Sequence, residues 1–344
     1  MKKMLALLLA LVMVLSLAAC ASSQPAAAST ETAETTETTE PAAEESAEAP
    51  AESGKTYTVG VCQLVQHEAL DAATQGFIDA LKEELGDAVT VDVQNASGDS
   101  VNCGTIVNSF VSKGVDLIMA NATPALTAAV SATADIPILG TSITAYGVAL
   151  DIDDFNGTVG GNVSGTSDLA DLQAQAQMIL DWFPETKTVG LLFCSAEPNS
   201  RYQIDEVRKA LEAQGVTCEE FAFTDSNDVS SVTQKAADFS DVVYIPTDNT
   251  AASNTEAIAN VLIPAGVPAV CGEEGLCRGC GVATLSISYY DLGVTTGKMA
   301  AKILKGEGVP PLRGVTGMRF SFASFMISAT CSVVSGYTTA SGMC

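Results

Sequence analysis

The side chains best suited to hold a small charged molecule are concentrated in six short loops. The first is Gln63-Leu64-Val65-Gln66-His67-Glu68-Ala69-Leu70-Asp71. Asn121-Ala122-Thr123-Pro124 and Thr141-Ser142-Ile143-Thr144 follow. Further on come Ser195-Ala196-Glu197-Pro198-Asn199-Ser200, Pro246-Thr247-Asp248-Asn249-Thr250 and Gly272-Glu273-Glu274-Gly275. Hydroxyls, amides and carboxylates at helix starts either cap the helix or meet a ligand, and free backbone N–H groups there favour an anion. Capping is the ordinary use of any single one. Six such loops aimed at one place are more than capping requires. Catalysis fits these residues less well. His67 is the only histidine, and the nearest thiol in sequence, Cys62, does not make it a nucleophile–base pair. A polar wall is the better role for it. Cys277-Arg278-Gly279-Cys280 looks like half a zinc knuckle or a redox pair. A closed zinc site needs four ligands, and the chain has no second CxxC. A loop disulfide or two free thiols are the plainer readings. Cys62, Cys103, Cys194, Cys218 and Cys271 lie in apolar surroundings and read as small core residues. Tyr146, Tyr202, Tyr289 and Tyr290 are available to stack on an aromatic group, with packing the default for Tyr289 and Tyr290. No nucleophile, base and orienting group occur together, so no enzyme, metal or cofactor is expected.

These loops follow runs that read as strands. Thr58 to Cys62, the continuous apolar run Val115 to Ala120, and Ile136 to Leu139 suit strands covered on both faces. Val89, Val91 and Val93 alternate with polar residues, as on a half-buried strand. Between them, Leu70, Ala73, Phe77, Leu81 and Leu85 recur at helical steps. The order then repeats. Thr188-Val189-Gly190 echoes Thr58-Val59-Gly60, Asp241 to Ile245 echoes Asp116 to Met119, and Val267 to Gly272 echoes Ile136 to Gly140. The offsets of 130, 125 and 131 residues point to duplicated lobes. Strands alternating with helices imply an α/β fold: two Rossmann-like lobes with parallel sheets, joined by a hinge. In such sheets ligands sit beyond the C-terminal ends of the strands. Facing lobes would therefore set the six loops around one cleft.

The 344-residue chain has length for about two domains. Its formal net charge of −25 leaves no basic surface for nucleic acid. Lys2 and Lys3 precede the apolar run Met4 to Leu17, and small residues follow, as in an export signal spanning 1–19. Leu17-Ala18-Ala19-Cys20 resembles the lipobox of bacterial lipoproteins, which implies a lipid on Cys20 and anchorage to the outer face of the cell membrane. Residues 20–54 hold eight Glu and no Lys or Arg, and read as an extended tether. At the other end, the 37 residues after Glu307 contain no Asp or Glu. A tail peculiar to this lineage and a reading frame shifted near Gly308 to Arg313 both account for that.

The strings GVCQLVQHEALDAATQGF, ANATPA, PILGTSIT, GNVSGTSD, SAEPNS, YIPTDNT, GEEG and YYDLG resemble the tryptophan/tyrosine-type substrate-binding lipoproteins of ABC transporters. The resemblance runs from about Tyr57 to Gly306, and none is expected beyond Pro311. It implies a type I periplasmic-binding-protein architecture, with lobe 1 at 55–164 plus 289–306 and lobe 2 at 165–288. It implies capture of a small ligand, often an aromatic amino acid, and delivery to a membrane permease. It matches Asn121, Thr123, Thr141 and Ser142 to the lobe that holds a ligand carboxylate, and offers Glu274, Glu273 or Asp248 as the ammonium partner. Glu197 and Asn199 line the same side, and Gln66, His67 and Asn249 complete the expected site. Where many relatives are expected to carry Asp, this chain has Ala145 before Tyr146. Two other readings stay open: a ligand sensor serving a receptor, and a thiol enzyme using Cys277 and Cys280.

Overall fold

The computed structural model describes residues 55–308. The export signal, Cys20, the tether to Gly54 and the tail from Val309 lie outside the described residues. The first sheet contains β1 (Tyr57–Gln63), β2 (Val89–Asn95), β3 (Leu117–Asn121), β4 (Ile138–Ile143) and β5 (Val163–Ser167). Its helices are α1 (Glu68–Leu85), α2 (Ser100–Lys113), α3 (Thr123–Ala132) and the short α4 (Tyr146–Ala149). The chain then crosses to α5 (Leu172–Trp182), β6 (Thr188–Cys194), α6 (Pro198–Glu212), β7 (Thr217–Phe223), α7 (Val229–Phe239), β8 (Val242–Ile245), α8 (Asn249–Ala252), α9 (Thr255–Ala265), β9 (Ala269–Cys271), α10 (Glu274–Cys280) and β10 (Ala283–Thr284). It returns through α11 (Tyr289–Leu304), which packs on α1, β4 and β5.

Both sheets are parallel throughout, with orders β2-β1-β3-β4-β5 and β10-β9-β8-β6-β7. Read from β7, the second order is the first one again. The repeat extends to single contacts: Asp116 accepts the Thr58 N–H at 2.7 Å, and Asp241 accepts the Thr188 N–H at 2.9 Å. Fully buried Val59, Val61, Leu117, Ile118 and Met119 fill one core, and Leu191, Leu192, Phe193, Val243 and Tyr244 fill the other.

The crossing differs from the expected boundary. β5 continues to Ser167 in the first sheet, so 165–167 belong there and not with lobe 2. Its sequence, VSGTS, has little apolar content because its stability comes from the ladder to β4 and from hydroxyl bonding. The Thr166 hydroxyl lies 3.2 Å from that of Thr141 and 2.8 Å from that of Thr296, tying β4, β5 and α11 together. Cys277 and Cys280 lie on α10 rather than in a loop, and both are free thiols. Among the described residues no helix is long and apolar enough to cross a membrane.

Candidate functional site

The C-terminal ends of β1, β3 and β4 set one wall of a cleft. Gln63 donates to the Val65 carbonyl (2.9 Å) and to Asp71 (2.7 Å), and accepts from the Thr74 hydroxyl (2.7 Å). Asn121 donates to the Leu70 carbonyl (2.9 Å) and the Thr74 hydroxyl (3.0 Å). Together they bolt the first turn of α1 to the sheet. His67 is the N-cap residue of α1, but no side chain caps the helix. The N–H groups of its first turn thus remain available, and Ala69 and Leu70 line the cleft. Ser142 stands beside them, buried, with φ of 55° and an unpartnered hydroxyl.

The second wall carries acids, and most of them serve their own lobe. Glu197 accepts from the N–H groups of Asn249 (3.0 Å) and Thr250 (2.9 Å) at the start of α8, and from both side chains as well. Asp248 accepts from the N–H groups of Cys194 (2.6 Å) and Ala251 (2.8 Å). Glu273 caps α10 with both oxygens, accepting from Gly275 and Leu276 at 2.5 Å each. The N-termini of α8 and α10 are therefore already capped by the protein's own carboxylates.

Asp168 is the exception. It follows β5 at the first crossing between lobes and is 5% exposed. One oxygen accepts the Tyr289 hydroxyl at 2.9 Å, and Tyr289 opens α11 at the return crossing. The other oxygen has no partner. The Thr144 hydroxyl stands near the carboxyl without reaching hydrogen-bond geometry to that oxygen.

The network also fixes the protonation of His67. Asn249 donates its amide N–H to Glu197 at 2.7 Å, which turns its oxygen toward His67 Nε2 at 3.3 Å. Nε2 must then carry the proton. Burial holds the imidazole pKa below its usual value, so the ring is neutral and the unpartnered Nδ1 is an acceptor. Asn199 donates to the Thr247 carbonyl at 3.2 Å and leaves its own oxygen unpartnered. Eight buried side-chain atoms lack partners among the described residues, and four of them line this cleft: on His67, Ser142, Asp168 and Asn199. Three are acceptors and one is a hydroxyl. Orphaned buried polar groups are costly, and a ligand that satisfies them recovers that cost.

Among the described residues no Lys or Arg lines the cleft. Burial, with Glu197 nearby, pushes the Asp248 pKa up to about 8, and burial pushes that of Glu273 up to about 7. Burial also raises the Asp168 pKa. Contacts bridge the lobes: His67 to Asn249, as above, and an ion pair between Arg278 and Glu68.

Of the expected site residues, the cleft gathers His67, Ser142, Asn199, Asp248, Asn249 and Glu273. Asn121 and Glu197 sit behind it as buttresses. Thr141 belongs to the hydroxyl cluster with Thr166 and Thr296, and Thr123 is buried at the start of α3 without lining the cleft. Gln66 is exposed. Glu274 lies outside the cleft, half-exposed and 3.7 Å from Arg278. Sequence reading missed Asp168, Thr144, Thr247 and Tyr289 as lining residues. Asp168 ends a strand just as the other loops do, and recognising VSGTS as a strand would have exposed it. Tyr146 is buried and donates to the carbonyls of Gly140 (3.1 Å) and Thr166 (3.0 Å). Tyr290 is exposed and bonded to Asp79.

Two duplicated parallel-sheet lobes around a polar interlobe cleft define a two-lobed ligand-binding protein. Residues 58–338 match the family model for ABC transporter substrate binding proteins, and the chain belongs to that family. The match continues past Pro311, where resemblance was expected to stop. The chain is 33% identical over 264 residues to the tyrosine-binding protein of Clostridioides difficile (strain R20291), spanning 75% of each. It resembles an ABC domain from Streptococcus pneumonia in complex with L-Trp, at 33% identity and a TM-score of 0.71, covering 75% of this chain and 90% of that one. A ligand-free, open substrate-binding protein with adhesive properties from Clostridium difficile, also 33% identical, covers 76% and 90% with a TM-score of 0.58. Identity and coverage are alike, so the lower score reflects shape. This chain superposes better on the ligand-bound relative than on the open one, in keeping with the contacts that bridge its lobes. The type I periplasmic-binding-protein fold follows from these likenesses and the sheet topology.

Proposed function

We propose that this chain captures an amino acid with free ammonium and carboxylate groups, bearing an aromatic side chain, for delivery to the permease of an ABC importer. The observation that carries this reading is the set of unpartnered cleft atoms. Asp168, Asn199 and His67 offer three acceptors, and an ammonium group has three N–H donors. The carboxylate needs donors without a nearby Lys or Arg. The uncapped α1 N-terminus and the Ser142 hydroxyl supply them. Asp168 is the ammonium partner in this reading, because both oxygens of Asp248 and Glu273 are already engaged and Glu274 faces away. The aromatic preference draws on the relatives described as tyrosine-binding and as bound to L-Trp.

Anchorage through Cys20, with residues 20–54 as tether, completes the proposal: the domain would be held at the outer face of the membrane beside its permease. Calorimetry with L-amino acids, nucleosides and sugars tests the ligand class. Tyrosine, tryptophan or phenylalanine should bind, and a panel in which only sugars bind overturns the reading. Cys20→Ala should release the protein from the membrane or block its processing. Unchanged retention of that variant would remove the lipid anchor from the proposal.

A further inference from the structure

Three cysteines that do not line the cleft meet where β9 and α10 pack together. Cys271 ends β9, and Cys277 and Cys280 lie on the last turn of α10. Past Cys280 the chain is set beside β9: the Gly281 N–H donates to the Cys277 carbonyl at 2.9 Å and the Val282 N–H to the Ala269 carbonyl at 2.8 Å. The closest approach is at Gly281. A Cβ there would stand 2.5 Å from the Cys271 sulfur and 3.0 Å from the Cys277 Cα. The absent side chain is the room that the Cys271 sulfur occupies, next in the chain to Cys280. The three thiols differ in access. Cys271 and Cys277 are buried, whereas Cys280 is partly exposed, on a turn where Arg278 and Gly279 face solvent.

We propose that Cys271 and Cys280 are a redox-active pair that closes to a disulfide by exchange with a disulfide reagent, such as an oxidised low-molecular-weight thiol, and that Cys280 is the sulfur the reagent meets. Cys280 gives up its proton and its sulfur attacks the reagent. A Cys280–S bond forms, the reagent's S–S bond breaks, and one half leaves as a thiol with that proton. Cys271 then gives up its proton and attacks the Cys280 sulfur, and the second half leaves as a thiol. Two protein thiols lose two electrons, and one reagent disulfide is reduced to two thiols. The first step prepares the second. A hydrogen bond to the Cys280 sulfur, with burial added, raises the Cys271 pKa well above the usual thiol value. Once Cys280 is a mixed disulfide, its charge no longer holds the Cys271 proton. Cys277 is less suited to either role, because burial, with Cys280, Glu273 and Glu274 nearby, pushes its thiol up to about 12. Cys62 and Cys103 also hydrogen-bond to each other, but both are fully buried, so no reagent meets them in the folded chain.

A bond from Cys271 to Cys280 encloses the whole of α10 in one ring. That helix carries Glu273 at its start, in the cleft wall, and Arg278 near its end, paired with Glu68 of the other lobe. Oxidation would thus pin the part of the second lobe that meets the first. Disulfides form and persist outside the cell membrane, where the functional reading places this domain. The chemistry of the pair does not depend on which ligand the cleft takes.

The test treats the reduced full chain with oxidised glutathione, blocks the remaining thiols with an alkylating agent, and maps the sulfur bonds by mass spectrometry. Cleavage after Glu274 and after Arg278 separates Cys271, Cys277 and Cys280 into three peptides. The peptides of Cys271 and Cys280 should be joined. Cys280→Ser should abolish the bond and take up no glutathione on Cys271, and Cys271→Ser should keep glutathione on Cys280. Cys277→Ser should leave the bond intact. The oxidised wild type should melt higher than the reduced protein by about 5 °C, reversibly with dithiothreitol. A bond from Cys280 to any other cysteine, or glutathione retained on wild-type Cys280 without an internal bond, overturns the proposal. A melting temperature that fails to rise on oxidation overturns the claim that the fold is already shaped for the bond. If Cys271→Ser does not fold, the wild-type map and the partly exposed Cys280→Ser variant still decide.

Discussion

Asp168 concentrates the chemistry of the cleft in one oxygen atom. Asp168→Asn keeps an acceptor for the Tyr289 hydroxyl but removes the negative charge, and should weaken amino-acid binding by roughly 2–4 kcal/mol. Glu274→Gln, outside the cleft, should leave affinity unchanged. Calorimetry on the two variants separates Asp168 from the acid that sequence spacing alone made attractive. Protons should also move with the ligand. Burial raises the Asp168 pKa in the empty cleft and an arriving ammonium lowers it, so binding releases protons at pH values between the two. Binding enthalpies measured in buffers of different ionisation heat should show that release, and Asp168→Asn should abolish it. The ligand-free protein has its own pH dependence. Asp248 and Glu273 titrate at about 8 and about 7 when folded, against about 4 when unfolded. Between those limits the native state binds more protons than the unfolded one. Stability therefore falls as pH rises from about 4 to about 8. Melting temperatures across that window should decline, and Asp248→Asn should flatten the upper part of the decline.

At the scale of elements, α1 and α11 are joined through glycines that leave no room for a side chain. A Cβ on Gly293 would lie 2.0 Å from the Ala73 carbonyl oxygen, and one on Gly76 would lie 2.2 Å from that of Tyr290. Gly293→Ala should destabilise the protein by about 1–3 kcal/mol through overpacking. Gly104→Ala, on α2 with nothing within 4 Å of the new Cβ, should stabilise it by about 0.5–1 kcal/mol. Denaturant melts of the pair compare like with like: the same substitution on two helices. The elements also show what a sequence discloses. Apolar runs such as LIMAN and VVYI announced the central strands, and the near-constant offset between echoes disclosed the duplication. VSGTS and the two-residue β10 carry no such signature, because hydroxyl bonding and neighbouring strands hold them. The loops at the strand ends were legible as a group, but their individual duties were not. Whether Glu273 caps a helix or meets a ligand depends on which backbone N–H groups lie within reach, and residue type does not encode that. Asn121 shows the same limit, since its amide is spent on α1.

For the molecule as a whole, two crossings allow the lobes to open, and the bridging contacts hold them together. Glu68 and Arg278 are each about half exposed, so their ion pair contributes little on its own. Arg278→Ala should lower ligand affinity by no more than about 1 kcal/mol. Small-angle scattering should show the ligand-free variant expanded relative to wild type, with the two converging when saturated with tryptophan. Equal dimensions at every ligand concentration would mean that Arg278 has no part in closure.

The hydrogen bond between Asp168 and Tyr289 joins the two crossings on which the lobes turn, and the same carboxyl group presents its free oxygen to the cleft. The molecule can thus be regarded as a lever whose load is applied close to its fulcrum. Atoms on the axis hardly move as the lobes rotate, while points far from it sweep arcs in proportion to their distance. A few tenths of an ångström in the seating of a ligand beside Asp168 are magnified at the outer rims, and a surface resting on both rims would register occupancy without touching the ligand.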